Sequence, residues 1–493
     1  MQAIILAAGL GSRLQPFSLH KPKPLLEIKG RSILENTIRI LRLNGVGQIT
    51  VVTGYKHELF APLKEKLGFD QVIFDGYNGK NSSASLLSVI DRIQKGTLIL
   101  NGDLYFTKDF FPHLKMGVSQ FIAQPIAAGE ISWGYITDEN CKLLDIDTKA
   151  TSGYGDGLAF FDNEADLEIL KNGLRECLDD EYWECCVLRS LPKLDFYVFP
   201  SERFYDEVDS FSDALRSNLL TPEEIARQCS LDGKARRLAG LTNVNYQINF
   251  LGQQKVIRIP GRGTERFIDR RHEQEIMAIL PPGLTPRASF YGGDIKMTDY
   301  LEGFRHLEFC DLEESSLLPK IVERLGQLHR LKLRDYPKFK RIYLLDEIDK
   351  YEKLASPLKL TTAGEHKFLL DVARRLDSVE AVLCHRDLQL PNILYDGSAV
   401  WLIDFEYAGF SCPAWELGNL SAELELDSSS IDRLIGLYND TTEASLDLED
   451  ILGGQLLSNY IWALWGWIYG RLDLGRAYLA RFHSNLESLY YRR

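Results

Sequence analysis

The run QAIILAAGLGSRL, residues 2–14, decides how the first half of the chain is read. Its apolar opening is a short buried strand, broken by Gly9-Leu10-Gly11. Small residues at a strand end let backbone N–H groups approach a phosphate closely, and Arg13 adds positive charge. Ala7, Ala8, Gly9 and Gly11 are therefore expected along a nucleotide. A P-loop needs Gly-Lys-Ser/Thr, which does not occur here, and a dinucleotide fingerprint needs a third glycine where Leu14 stands. Taken alone, a G-x-G of this kind is also a plain strand–helix turn. Its surroundings add chemistry. Lys21-Pro22-Lys23-Pro24 is a stiffened segment that can hold Lys23 against a triphosphate. Gly102-Asp103 closes a later strand and sets a carboxylate at the sheet edge, and Asp209 is a candidate second carboxylate.

Working outward, the first ~215 residues alternate strands and helices, the pattern of a mostly parallel sheet with helices on both faces and ligands at the strand ends. Strands are expected at QITVVTGY, QVIFD and TLILNGD, and helices over 32–44, 57–67 and 82–95. Ser32 is a plausible helix cap, with Glu35 at capping-box distance. The first domain is placed at 1–216, followed by a polar linker at 217–239. YQINFL and KVIRI then form a hairpin, a helix follows at DRRHEQEIMAIL, and from ~311 the chain is mainly helical. This predicts a bilobal second domain, with a smaller lobe at 240–310 and a larger one at 311–493.

Composition sets limits. At roughly 150 residues per domain, 493 residues imply about three globular units. A hydrophobic content of 45% supports large cores. The net charge of −13 disfavours general nucleic-acid binding. No run approaches ~20 uninterrupted apolar residues, so stable membrane insertion is not expected. The opening residues lack the basic region and cleavage site of a signal peptide. Eight cysteines with no C-x-x-C pair argue against a disulfide framework or structural zinc, and a reducing cytoplasm is the default location. An oligomer is possible.

A-A-G-x-G-x-R, with P-K-P and a strand-end G-D downstream, resembles the nucleotidyltransferase family that makes nucleoside-diphosphate sugars and alcohols. The resemblance implies a Rossmann-like fold and Mg²⁺ between Asp103 and Asp209. It implies Arg13 and Lys23 on the phosphates of the NTP, and attack on the α-phosphorus with pyrophosphate leaving. Tyr182-Trp183-Glu184 and the segment DGYNGKNSSASL (75–86), which contains Asn81 and Ser85, resemble the phosphocholine cytidylyltransferase branch, with CTP as donor. Trp133, Tyr154, Tyr182 and Trp183 are candidate faces for a quaternary ammonium, through cation–π attraction. Each is also a reasonable core residue.

A second constellation lies at HRDLQLPN, residues 385–392. The spacing H-x-D-x-x-x-x-N, with Asp404 twelve residues after Asn392, is that of kinase chemistry. There one Asp takes the hydroxyl proton, and an Asn and a further Asp hold metal. His385 reads as a structural brace. D-F-E in place of D-F-G, and no A-P-E or G-x-G-x-x-G, argue against a protein kinase. G-L-T-N-V-N-Y at 240–246, Arg258 in the following strand and I-D-F-E-Y-A-G resemble the choline/ethanolamine kinase family, relatives of aminoglycoside phosphotransferases. The resemblance implies Asp387 as base, Gln389 beside the transfer, Asn392 and Asp404 on Mg²⁺, and Thr242 and Asn243 over the phosphates of ATP. It also implies Arg258 paired with Glu273, or alternatively Glu275. It places Trp462, Trp465, Tyr407 and Glu423 around the trimethylammonium of choline, with Tyr478 a further contact. Trp467 faces elsewhere and reads as core.

The two halves are chemically consecutive: one makes phosphocholine and the other consumes it. The expected enzyme phosphorylates choline with ATP, then transfers CMP from CTP to phosphocholine. The rivals are the same chemistry on ethanolamine or an aminophosphonate, a sugar nucleotidyltransferase fused to a drug-inactivating kinase, and a binding protein with inactive sites.

Overall fold

β1 (Gln2–Ala7) is buried at every position, the pattern of a strand covered on both faces. The computed structural model describes residues 1–240, 243–261, 268–292, 295–442 and 444–491. It divides the chain into two units: Met1–Ile259 with Asp294–Met297, and Pro260–Gly293 with Thr298–Arg493.

The first unit is built on a nine-stranded mixed sheet. Its strands are β1, β2 (Gln48–Thr53), β3 (Asp70–Ile73), β4 (Thr97–Asn101), β5 (Ser119–Pro125), β6 (Ser132–Thr137), β7 (Leu143–Ala150), β8 (Tyr154–Phe161) and β9 (Phe196–Pro200). The order is β7-β6-β8-β4-β1-β2-β3, with β5 pairing β8 and β9. The β4-β1-β2-β3 half is parallel, whereas β8 runs antiparallel to β4, β5 and β6. The parallel half carries the expected alternation, so its strand ends converge near Gly9 and Gly102. Two apolar clusters flank the sheet, one containing Ile4, Phe121 and Trp183, the other Ile5, Leu34 and Phe60.

Local signals explain most helix boundaries. Ser32 Oγ accepts from Glu35 N at 3.1 Å and starts the helix Ile33–Leu43. The expected helix at 57–67 is a tighter turn, His57–Phe60, followed by Ala61–Leu67. The one at 82–95 ends at Leu87. There the Ser85 and Ser88 hydroxyls bond to Ser82 O and Ser85 O, competing with helix propagation.

Residues 217–239, read as a linker, are folded. Thr221 and Glu224 form a reciprocal capping box on the helix Pro222–Cys229. Gln228 exchanges two 2.7 Å hydrogen bonds with the Glu27 backbone, and His20 Nε2 lies 2.9 Å from Gln228 O. The strand Ala235–Leu238 pairs with Val244–Phe250, which forms the expected hairpin with Gln253–Ile259. That hairpin therefore belongs to the first unit.

The cysteine expectation is corrected. Cys177 and Cys186 are bonded, and six cysteines are free. Cys177 follows the helix Glu164–Glu176 and Cys186 lies in Glu184–Ser190. The chain reverses between them and brings their Cα atoms to 6.3 Å, within disulfide reach. A nine-residue separation carries no motif, so spacing alone does not mark the pair.

The second unit is mainly helical, around one large apolar cluster. The short strands Val382–Cys384, Ile393–Tyr395 and Val400–Leu402 bracket the two segments expected to carry chemistry. Helices Pro413–Glu423 and Leu448–Ile468 cross closely. A Cβ on Gly454 would sit 2.0 Å from Ala414 O, and one on Gly418 would sit 2.4 Å from Gln455 N. Only glycine permits that approach. It seats Asn419 against the tryptophan-bearing helix. No helix among the described residues is long and apolar enough to cross a membrane.

Candidate active sites

In the first unit, a cavity opens where β1 and β4 end. Ala7, Ala8, Gly9, Gly11, Arg13, Lys23, Asn81, Ser85, Asp103, Asp209 and Tyr182 line it, together with Lys80 and Glu207. Gly11 is left-handed, at φ +61°, and a Cβ there would press on the Lys23 side chain at 3.0 Å. The carboxylates are brought together by a small ladder. Tyr205–Glu207 pairs antiparallel with Leu104–Phe106, and Val208 N donates to Asp103 O at 3.3 Å. Lys23 Nζ lies between the carboxylates, 2.8 Å from Asp103 Oδ2 and 2.7 Å from Asp209 Oδ1. Arg13 reaches Asp209 Oδ2 at 2.7 Å. Burial would lower the Lys23 pKa, but Asp103, Asp209 and Glu207 outweigh it and hold the ammonium above its ordinary value.

Asp103, Glu207 and Asp209 offer oxygens within 4.8 Å of one another, and Asp103 Oδ1 is buried without a hydrogen bond. An all-oxygen donor set with one such atom suits a hard divalent cation. Glu207 was not singled out from sequence. Its signal was the alternation Glu207-Val208-Asp209 on a strand.

Asn81 Oδ1 accepts from Ser82 N at 2.8 Å and caps the helix Ser82–Leu87, and Ser85 is buried beside it. Of the aromatic group, Tyr182 lines the cavity, and Trp133 meets it edge-on at 5.6 Å between centroids. Tyr154 sits at the exposed start of β8, outside the cavity wall. The expectation for Trp183 is corrected: it is 1% exposed and packs on Phe121 in the core. Its neighbour Tyr182 is 51% exposed and faces the cavity.

In the second unit, Asp387 lies in the loop after Val382–Cys384. Gln389 Nε2 donates to both its oxygens at 3.2 Å, and Asn392 Nδ2 donates to Oδ2 at 3.0 Å and to the Asp387 carbonyl at 2.8 Å. Burial, and then Asp404, Glu406 and Glu423, push the Asp387 carboxyl well above its usual range. Crowded carboxylates of this kind, with an amide oxygen at Asn392, suit Mg²⁺ by donor chemistry. Asp404 holds a left-handed backbone at φ 67°. His385 is fully buried, Nε2 against Ile403 O at 2.8 Å and its ring on Phe405, which makes it a brace. Arg270, unforeseen, links Glu406 at 2.9 Å to Glu273 at 3.3 Å. Glu275 pairs with Arg271 on the exposed helix face. Arg258 and Asn243 are buried in the first unit, and Thr242 lies outside the described residues.

The ring cluster is assembled. Trp462 meets Tyr407 at 5.6 Å and Trp465 at 6.2 Å, both edge-on. Trp465 Nε1 donates to Tyr407 OH at 3.2 Å and Trp462 Nε1 to Asn419 Oδ1 at 2.8 Å. These bonds fix the orientation of both indoles. Tyr469, which sequence reading missed, packs at a tilt against Trp465, 4.7 Å between centroids. Trp467 is 51% exposed, not core, because the helix ends at Ile468. Burial pushes the Glu423 carboxyl up, and Arg481 and Tyr478 pull it back.

Fold and constellations together define a transferase of two nucleotide-using units. The family model of the MobA-like NTP transferase domain matches residues 3–126, and that of choline/ethanolamine kinase matches 236–435. A choline-phosphate cytidylyltransferase from Streptococcus pneumoniae is 30% identical over 220 residues, 43% of this chain and 95% of the relative. A 2-aminoethylphosphonate cytidylyltransferase from Lancefieldella rimae is 27% identical over 219 residues, 43% of this chain and 89% of the relative. A probable choline kinase 2 from Arabidopsis thaliana is 27% identical over 287 residues, 48% of this chain and 79% of the relative. The chain belongs, through its first half, to the nucleotidyltransferase family of the choline-phosphate cytidylyltransferases, and its second half is a choline/ethanolamine kinase domain.

Proposed function

We propose that this chain is a bifunctional cytoplasmic enzyme that phosphorylates choline with ATP and converts phosphocholine and CTP to CDP-choline and pyrophosphate. The observation that carries the reading is the fixed box of Tyr407, Trp462 and Trp465, with Glu423 close enough to Asp387 to perturb its charge. Flat rings and a carboxylate suit a methylated ammonium, and Asp387 suits its hydroxyl. Asp387 accepts the hydroxyl proton as the choline oxygen bonds to the γ-phosphorus and ADP leaves. Gln389 and Asn392 hold that carboxylate in place.

In the first unit, a phosphate oxygen of phosphocholine attacks the α-phosphorus of CTP, and the bond to the β-phosphate breaks. Lys23 and Arg13 shift from Asp103 and Asp209 to the phosphates and offset the developing charge. Asp103 and Asp209, with Glu207, would hold Mg²⁺ there, as Asn392 and Asp404 would in the kinase. In both sites the metal supplies charge neutralisation of the phosphates. The domain limits at 216 and 239, and the remaining site roles, belong to this proposal. At the transferase site a primary amine is a second reading. Burial of Trp183 leaves Tyr182 and Trp133 as an incomplete cage, and one relative carries an aminophosphonate name.

Phosphorus NMR of the whole chain with Mg²⁺, ATP, CTP and choline tests the reading. Phosphocholine should appear first, then CDP-choline and pyrophosphate. Consumption of neither nucleotide with choline would overturn it.

A further inference from the structure

Arg481, on the helix Leu472–Leu486, is not used by the mechanism above. Its Nη1 lies 3.4 Å from Glu423 Oε1, while Nη2 lies 2.9 Å from Glu425 Oε1. Its guanidinium also sits over the Tyr478 ring at 5.7 Å. Tyr478 also acts on the Glu423 carboxyl and, with Arg481, pulls it down from the value that burial would give. The Glu423 side chain is 13% exposed, whereas that of Glu425 is 60% exposed. Arg481 is thus anchored on a surface carboxylate by its shorter bond, and it leans on the buried one by its longer bond.

We propose that Arg481 sets amine selectivity at the kinase site by occupying the hydrogen-bonding capacity of Glu423. The inference rests on the amine-kinase reading above. A quaternary ammonium has no N–H to donate. It is held by ring faces and by diffuse charge, and loses little when Arg481 holds Glu423 Oε1. A primary ammonium carries three donors and needs those oxygens. With the carboxylate already engaged, it enters with donors unmet. Selectivity is then a penalty on the wrong amine as much as an attraction to the right one. Arg481 acts through Glu423 and is a positioning residue. Glu425, by holding Arg481 outward, limits how tightly Glu423 is taken.

The experiment measures kcat/KM for choline and for ethanolamine in the full chain, wild type against Arg481→Gln, Arg481→Lys and Glu425→Gln. Arg481→Gln should shift the choline-to-ethanolamine ratio toward ethanolamine by roughly tenfold, the scale of one charged hydrogen bond. The shift should lie in the KM values. Arg481→Lys should restore part of the wild-type ratio. Glu425→Gln should move the ratio the other way, toward choline. A ratio unchanged in Arg481→Gln, with both amines altered equally, would overturn the inference and leave the amine-kinase reading standing. Wild-type enzyme that phosphorylates neither amine would overturn both. CMP transfer in each variant reports whether the rest of the chain is intact.

Discussion

In the transferase unit, two cations already rest on the carboxylates, with Lys23 bridging Asp103 and Asp209 and Arg13 on Asp209. In the kinase unit, Asp387 instead faces Asp404, Glu406 and Glu423, and its oxygens take amide donors from Gln389 and Asn392. The first site stores its counter-charge internally. The second keeps its arginines on the outer carboxylates, Arg270 on Glu406 and Arg481 on Glu423, and leaves Asp387 to amide donors. Stored counter-charge offsets the Asp103 and Asp209 carboxylates directly. On the proposed reading, the kinase carboxylates receive the cations and the indoles of Trp462 and Trp465 set which amine enters.

That contrast can be broken one residue at a time. The largest effect is expected from Asp387→Ala. It should lower choline phosphorylation by about 10²–10⁴-fold, the range for a positioned base. A coupled ADP assay, with CMP transfer to added phosphocholine as the control, checks it. Loss of both activities in a folded variant would mean that the sites are not independent.

Lys23→Ala should do the reverse. CMP transfer should fall by about 10²–10³-fold, as for removal of one charge-stabilising donor, while phosphorylation persists. Pyrophosphate release reads this directly, and an unchanged rate would remove Lys23 from the mechanism.

Gly454→Ala sharpens the comparison on the side of packing. Its methyl would meet Ala414 O, and overpacking of this kind costs about 1–3 kcal/mol. Melting should show the kinase unit unfolding earlier while CMP transfer at low temperature is retained. A wild-type melting profile would show that the two helices separate without cost.

The smallest expected effect is that of Trp465→Ala. Cation–π contact is worth about 0.5–2 kcal/mol, so the choline KM should rise by roughly 2- to 30-fold and exceed the change for ethanolamine. Equal changes for the two amines would take Trp465 out of the recognition surface.

Much of both sites was legible because the relevant residues are close in sequence. HRDLQLPN places Asp387, Gln389 and Asn392 in one loop, and their mutual hydrogen bonds follow from that spacing. QAIILAAGLGSRL likewise carries strand, turn and Arg13 in one run. Trp462 and Trp465 share a helix face because they are three residues apart.

Contacts between distant segments were not legible. Glu207 joins Asp103 through a two-strand ladder across about a hundred residues, and Arg270 joins Glu406 across a similar gap. The Cys177–Cys186 bond depends on a chain reversal that no spacing rule marks. Trp183 and Tyr182 are adjacent and equally aromatic, yet one packs on Phe121 in the core and the other is cavity wall, a division set by contacts with distant strands. Arg481 meets Glu423 through the close packing of helices whose glycines the sequence displays without naming their partners. The sequence by itself determined which chemistry each half can perform, since local spacing fixes which groups share a loop or a helix face. Only the tertiary structure decided which charges neutralise one another and which rings stay accessible, because those depend on distances between segments that backbone connectivity leaves free.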